Sequence, residues 1–306
     1  MDLLEQTKRL CKIYDIKPAR SKGQNFLIKE DIYDKMVDAA DLKSSDIVLE
    51  IGPGLGFLTS KLALKAKKVI AVELDDRLAE VLKTGLISRK VGNVEVVNED
   101  ALKLEIGNLK LGEGRGTSVT AGSRVLKAGG YKIVANLPYN ITSVFLRKFL
   151  SAENKPELMV LMLQKEVAER IAATPGKMSL LSVSVQFYAC PEIIGIIHKN
   201  NFWPEPEVDS AVVRIKTAAK RSDRLYGGRT AETAEKEFFR LVKIGFSAKR
   251  KMLKNNLANG YHITQDAAEQ WLKKAGFGPK TRAQELSVED WIKLFKQEHN
   301  PSVRNK

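Results

Sequence analysis

Hydrophobic positions along the first half of the chain follow two alternating rhythms. Residues 28–42 carry Ile32, Met36, Ala39 and Ala40 at helical spacing, and Ser44-Ser45-Asp46 reads as a turn after them. A compact apolar run follows, Ile47-Val48-Leu49-Glu50-Ile51, of the kind a buried strand needs. The pattern then predicts a glycine turn, a helix over 57–67, a strand over 69–73, a helix over 77–84, and strands over 94–97 and 131–135. This βαβ alternation predicts an α/β fold, a parallel sheet covered by helices.

The second half is less regular. Residues 158–163, 181–188 and 211–215 are strand candidates, the last pair as antiparallel partners at the sheet edge. Residues 107–130 contain Gly107, Gly112, Gly114, Gly116, Gly122, Gly129 and Gly130, with little sustained periodicity, and read as a flexible insertion. Residues 218–232 are polar, basic and glycine-bearing, as an interdomain linker is. Beyond them the pattern is helical: Phe238, Leu241, Val242 and Gly245 share one face, and Trp271, Leu272 and Ala275 share another. The expected organisation is a domain over 1–217 that includes the insertion, a linker over 218–232, and a small all-helical domain over 233–306.

Composition narrows the partners. The 306 residues are 43% hydrophobic and 29% charged, enough for a sizeable core, and their 51 Lys and Arg against 37 Asp and Glu give a net charge of +14. Such a balance favours a polyanion, because each neutralised phosphate releases counterions. Nucleic acid ranks ahead of a membrane surface, and a merely solubilising surface is the bland alternative. No apolar run reaches the roughly 18 residues that span a bilayer, and the opening residues lack the order of a secretory signal, so the expected location is the cytosol. Cys11 and Cys190 lie far apart and the three histidines make no zinc spacing, so reduced thiols and no metal site are expected.

Candidate chemistry gathers at predicted strand ends. Glu50-Ile51-Gly52-Pro53-Gly54-Leu55-Gly56 follows one strand and opens a helix, where absent side chains let a ligand approach the backbone. Its GxGxG spacing differs from the GxGxxG that aims a helix at a pyrophosphate, and suits an adenosyl sulfonium, which has no phosphate. Glu73 ends the next strand, 21 positions after Gly52, where a carboxylate accepts both ribose hydroxyls. Asn98-Glu99-Asp100-Ala101 closes the third strand, placing a carboxylate to accept from an adenine amine. The alternatives are a plain glycine turn, a solvated Glu73 and a turn-forming Asp100. Three successive strand ends with fitting groups favour a cofactor rim.

Asn136-Leu137-Pro138-Tyr139 follows the fourth strand directly. Proline stiffens the turn, so the Asn136 side-chain oxygen and a neighbouring backbone carbonyl can converge on one substrate group. Two fixed acceptors match the two N–H donors of an adenine amine and favour a pyramidal nitrogen, whose lone pair is then available to a methyl donor. Tyr139 is placed to stack on the base. A structural Asn-Pro turn with a core tyrosine is the alternative for the motif taken alone.

With these motifs in hand, the chain resembles the ribosomal RNA adenine dimethyltransferase family from about residue 17 to 257. The resemblance is carried by Gly23-Gln24-Asn25-Phe26-Leu27, the glycine motif, Glu73, Asp100, Asn136-Leu137-Pro138-Tyr139-Asn140-Ile141, Gln164-Lys165-Glu166-Val167-Ala168, the run from Phe202-Trp203-Pro204 to Val212, and Arg250-Lys251-Met252-Leu253-Lys254-Asn255-Asn256-Leu257. It implies a Rossmann-like class I methyltransferase sheet with a small C-terminal helical domain, and S-adenosyl-L-methionine as methyl donor. It further implies that Asn25 and Leu27 line the methionine side, Gly52 and Gly54 pack under the cofactor, Glu73 holds the ribose, and Asp100 and Ala101 meet the adenine. Asn136 bridges cofactor and target, and Phe202 faces Tyr139 across the base, unless it is only a core aromatic. Lys243, Arg250 and Lys254 are expected on one helical face, either gripping RNA phosphates or merely solvated. The implied substrate is a pair of adjacent adenosines in a 3′-end hairpin of small-subunit (16S) rRNA. The small ribosomal subunit is then the partner of a monomeric protein that meets no membrane. The motif looks closer to these enzymes than to large-subunit (23S) enzymes that confer macrolide resistance. An assembly checkpoint in which methylation is secondary, and a small-molecule methyltransferase, remain as other readings.

Overall fold

Strands form where the apolar runs lie. The computed structural model describes residues 2–18, 24–104, 130–218, 230–248 and 250–298. The first elements are α1 (Leu3–Ile13), β1 (Phe26–Leu27), α2 (Glu30–Ala39), β2 (Ile47–Ile51), α3 (Phe57–Lys65), β3 (Lys68–Glu73), α4 (Asp76–Ser88) and β4 (Val94–Asn98). Next come β5 (Lys132–Asn136), α5 (Thr142–Ser151), β6 (Leu158–Gln164), α6 (Lys165–Ile171), α7 (Leu180–Gln186), β7 (Ala189–Ile197), β8 (Phe202–Trp203) and β9 (Ser210–Thr217). The series closes with α8 (Ala231–Gly245), α9 (Leu253–Tyr261), α10 (Gln265–Lys274) and α11 (Val288–Glu298).

The main sheet has seven strands in the order β4-β3-β2-β5-β6-β9-β7. From β4 to β6 the pairing is parallel, and β9 runs antiparallel to β6. The inner strands β2, β3, β5 and β6 are buried almost throughout, while β4 at the edge is only partly covered. The contrast explains why the inner strands read as apolar runs and β4 does not. Val48, Val69, Val134, Val160 and Val212 from five strands share one core with Ile32, Tyr33 and Met36 of α2 and Leu58 and Leu62 of α3. Because β2, β3, β5 and β6 all point the same way, their C-terminal ends share one rim. Ser210, the first residue of antiparallel β9, joins that rim opposite Gln164. At the other end of β5 the buried Lys132 ammonium pairs with Asp46 at 2.9 Å and donates to the carbonyls of Ala40 and Asp41, closing the end of α2.

The chain divides into two compact units, Met1–Ala168 with Pro191–Thr217, and Glu169–Cys190 with Ala218–Lys306. The second unit therefore takes in a mid-chain stretch that the sequence reading placed inside a continuous 1–217 domain. The same stretch corrects a strand assignment: 181–188 is largely the helix α7, and the partners of β9 are β6 and β7. Ser179 and Ser182 form a capping box that starts α7. Its Val183 then joins Phe187, Phe238, Leu241, Leu257, Leu272 and Trp291 in the core of the second unit. The Phe187 and Phe238 rings stack with centroids 4.8 Å apart. The insertion up to Gly129 and linker residues 219–229 lie outside the described residues.

Candidate active site

The glycine turn after β2 is shaped by backbone conformation. Gly52, Gly54 and Gly56 have φ of +67°, +56° and +80°, a region that L side chains rarely adopt. A Cβ on Gly54 would stand 3.3 Å from the Phe26 ring, and one on Gly52 would come 3.7 Å from the Asn136 carbonyl oxygen. The glycine turn and the Asn136 turn therefore face each other closely, with room for little more than a methyl between Gly52 and the Asn136 carbonyl.

Two carboxylates stand beneath this turn. Glu73, at the end of β3, is 7% exposed and accepts from the Gly54 amide through Oε2 and the Asp75 amide through Oε1, both at 3.0 Å. Each carboxylate oxygen keeps acceptor capacity, so a ribose diol can still bind. Burial raises the pKa of this carboxyl, against the lowering effect of the two amides. Glu50 is 1% exposed, and its Oε2 has no hydrogen-bond partner among the described residues. Burial pushes its carboxyl up to about 8, the neighbouring Glu73 adds to the rise, and the Thr59 hydroxyl tempers it without a hydrogen bond of good geometry. The sequence reading used Glu50 only as an acidic lead-in to the glycines. Its place inside an otherwise apolar strand was the available sign of a buried polar role.

Asn136 ends β5 opposite Met162 of β6. The Leu137 amide donates to the Met162 carbonyl at 3.3 Å, and Pro138, with φ of −56°, leads into a 3-10 turn over Tyr139–Ile141 that runs into α5. The phenol of Tyr139 meets the hydroxyl of Ser210 at 2.7 Å. Phe202 lies in β8, which pairs antiparallel with β1 through Leu27, and is both a core residue and a wall of the cleft.

Asn25, Leu27, Gly52, Gly54, Glu73, Asn136, Leu137, Pro138, Tyr139 and Phe202 all line one open cleft, with Glu50 and Tyr33 beside them. The empty space in the cleft is about 990 Å³ with its mouth included. Asp100 and Ala101 are not among its lining residues. Asp100 Oδ1 accepts from the Leu102 amide at 2.8 Å, so the carboxylate does serve its own turn, and Ala101 is buried. Lys148 of α5 holds that turn by donating to the carbonyls of Leu102 and Leu104.

The three cations expected on one helical face are not on one helix. Lys243 is exposed near the end of α8, Arg250 is exposed in the turn that follows, and Lys254 belongs to α9, where it pairs with Glu269 of α10 at 2.6 Å. The break falls at Gly245, whose carbonyl accepts from Asn256 Nδ2, as does that of Ala248.

A family model described as ribosomal RNA adenine dimethylase matches residues 17–299. The chain belongs to this family. Similar proteins include the ribosomal RNA small subunit methyltransferase A of Dehalococcoides mccartyi strain 195, 40% identical over 95% of this chain and 92% of the relative. The protein of the same name from Clostridioides difficile strain 630 is 36% identical over 94% and 93%. Among solved structures, a dimethyladenosine transferase from Plasmodium falciparum aligns with a TM-score of 0.66 and 28% identity, over 87% of this chain and 94% of that one. The 23S rRNA methyltransferase ErmE aligns with a TM-score of 0.67 and 27% identity, over 89% and 99%. The chain is thus an S-adenosylmethionine-dependent rRNA adenine dimethyltransferase with a Rossmann-like class I fold.

The cleft fits that cofactor. The left-handed glycines leave a cradle that side chains would fill, and an unpartnered buried carboxylate oxygen belongs to one of the lining residues. Both features suit a ligand that carries positive charge and packs against backbone. No helix among the described residues is long and apolar enough to cross a membrane.

Proposed function

We propose that this enzyme dimethylates the exocyclic amines of two adjacent adenosines in a hairpin near the 3′ end of small-subunit (16S) rRNA, as a step in ribosome biogenesis. The observation that carries the choice of subunit is the small-subunit name borne by relatives at 40% and 36% identity over nearly the whole chain. The fold alone does not choose, because a 23S enzyme aligns equally well. The protein acts as a monomer in the cytoplasm, without a membrane partner.

In this reading S-adenosylmethionine supplies a methyl group on a positively charged sulfur. Glu73 accepts the ribose hydroxyls, Glu50 faces the cationic amino-acid end, and Asn25 and Leu27 wall the methionine side. Gly52 and Gly54 allow close approach, while Asp100 and Ala101 serve the adenine edge from the end of β4. The Asn136 side-chain oxygen and a carbonyl of the Leu137-Pro138 turn accept the two N–H bonds of the target amine, which turns its lone pair toward the methyl. Tyr139 and Phe202 stack on the extruded base, whose departure from its own stack costs a few kcal/mol. The attacked nitrogen becomes cationic and sheds a proton readily, so no strong base is required. Lys243 and Arg250 neutralise rRNA phosphates, joined by Lys254 if its pair with Glu269 opens.

Labelled-methyl transfer to unmodified small and large subunits, with modified positions mapped by reverse-transcription stops, tests the reading. Transfer to a large-subunit adenine overturns it. Asn136→Ala is expected to lower transfer on the order of a hundred- to a thousandfold while small-subunit binding persists. A variant that keeps its rate removes Asn136 from the reaction.

A further inference from the structure

Ser210 is fully buried yet polar, and the side-chain partner of its hydroxyl is Tyr139. It opens β9 opposite Gln164, and β6 in turn lies beside β5, which ends in Asn136. The bond therefore reaches across β6, from the turn that carries Tyr139 to a strand locked in the ladder. Tyr139 itself sits in a three-residue 3-10 turn, a short element with little rigidity of its own. Its ring lines the same cleft as Asn136 and Phe202. The phenol oxygen lies on the axis of ring rotation, so tethering it stops the ring from swinging on χ1 and fixes where the ring stands in the cleft. Burial also holds the phenol above its ordinary pKa, so the hydroxyl stays protonated and keeps the bond at neutral pH.

We propose that Ser210 is a positioning residue for methyl transfer: its hydroxyl anchors the Tyr139 phenol and so fixes where the ring on which the target adenine stacks stands in the cleft. The proposal rests on the stacking role given to Tyr139 above. Stacking needs the ring to lie against the base, and the amine must meet the Asn136 oxygen and the methyl donor in one pose, so a displaced ring costs rate rather than cofactor binding. The tether also gives a reason for a tyrosine here rather than a phenylalanine.

The test is a double-mutant cycle on the full chain with unmethylated small subunits and saturating S-adenosylmethionine. Ser210→Ala, Tyr139→Phe and the double variant are each expected to lower kcat by the same factor, about tenfold, or about 1.4 kcal/mol. The cofactor Kd, measured by calorimetry, is expected to stay unchanged. Tyr139→Ala is expected to lose at least a hundredfold. A double variant whose loss is the product of the single losses shows that the hydroxyls act separately and overturns the proposal. So does wild-type kcat in either single variant, and Tyr139→Phe alone decides the matter if Ser210→Ala fails to fold. Full activity in Tyr139→Ala sinks the stacking role itself along with the tether.

Discussion

Replacing Glu50 by glutamine removes a buried ionisable group while keeping the shape of the side chain. Glu50 is 1% exposed and titrates at about 8 in the folded protein against an ordinary 4.5. Between these values the folded chain holds a proton that the unfolded chain has lost. Stability then falls as pH rises, because the native state binds more protons than the unfolded one. The interval from 4.5 to about 8, at about 1.4 kcal/mol per pH unit, gives a total loss on the order of 5 kcal/mol. Above pH 8 the loss is complete and the curve flattens. Glu50→Gln lacks this slope, so the cofactor-free variant is expected to exceed wild type by about 3–5 kcal/mol at pH 8–9 and to converge with it near pH 5. Glu73, also raised by burial, leaves a residual slope in both proteins, and Tyr33, whose hydroxyl donates to the Leu27 carbonyl, stays neutral throughout. Hydrogen exchange of the β2, β3 and β5 amides between pH 5.5 and 9 reports the first unit alone. A cationic cofactor favours the ionised carboxylate, so its binding should release a proton, visible by calorimetry in buffers of different protonation enthalpy. Parallel stability profiles for wild type and Glu50→Gln would refute the reasoning.

Gly52→Ala must hold an L residue at φ of +67° and aims a methyl toward the Asn136 carbonyl. Calorimetry is expected to show S-adenosylmethionine binding weakened at least about tenfold, with about 1–2 kcal/mol of lost stability. Gly245→Ala gains about 1 kcal/mol of helix propensity. Its Cβ would however lie 3.0 Å from Trp291 Cζ3, nearer still to Cη2, and 3.1 Å from Leu253 Cδ1. Overpacking of about 1–3 kcal/mol or more should win, lowering the urea midpoint followed by tryptophan fluorescence, whereas an unchanged midpoint contradicts the packing seen here. Lys132→Met strands Asp46 and the carbonyls at the end of α2, and urea unfolding should register a loss of about 3–5 kcal/mol.

The parallel core was legible because β2, β3, β5 and β6 are buried on both faces, which writes them as apolar runs. The turn that carries Asn136 was legible for a related reason, since Asn136-Leu137-Pro138-Tyr139 follows such a run without a gap. Residues 181–188 misled because Leu181, Val183, Val185 and Phe187 alternate as in a strand. There the capping serines and the pull of Phe238 on Phe187 decided for a helix. The basic face misled because helical spacing was carried from Lys243 to Lys254 through a break that only Asn256 reveals, by binding carbonyls at the end of α8. Asp100 was read at its strand end, but the use of one oxygen by the Leu102 amide follows from local chain geometry, which spacing does not encode. The Tyr139 to Ser210 bond spans 71 positions, and no local pattern announces it.

The polypeptide passes between its two units three times, after residues 168, 190 and 217. The helical unit is therefore not an appendage that one cut can remove. Ending the chain after residue 217 would leave Met178, Val183 and Phe187 without the core they complete, and their apolar surface would invite aggregation. A chimaera that exchanges the helical unit has to exchange the 169–190 stretch along with it, so the two units can be recombined only by cutting the chain at all three crossings.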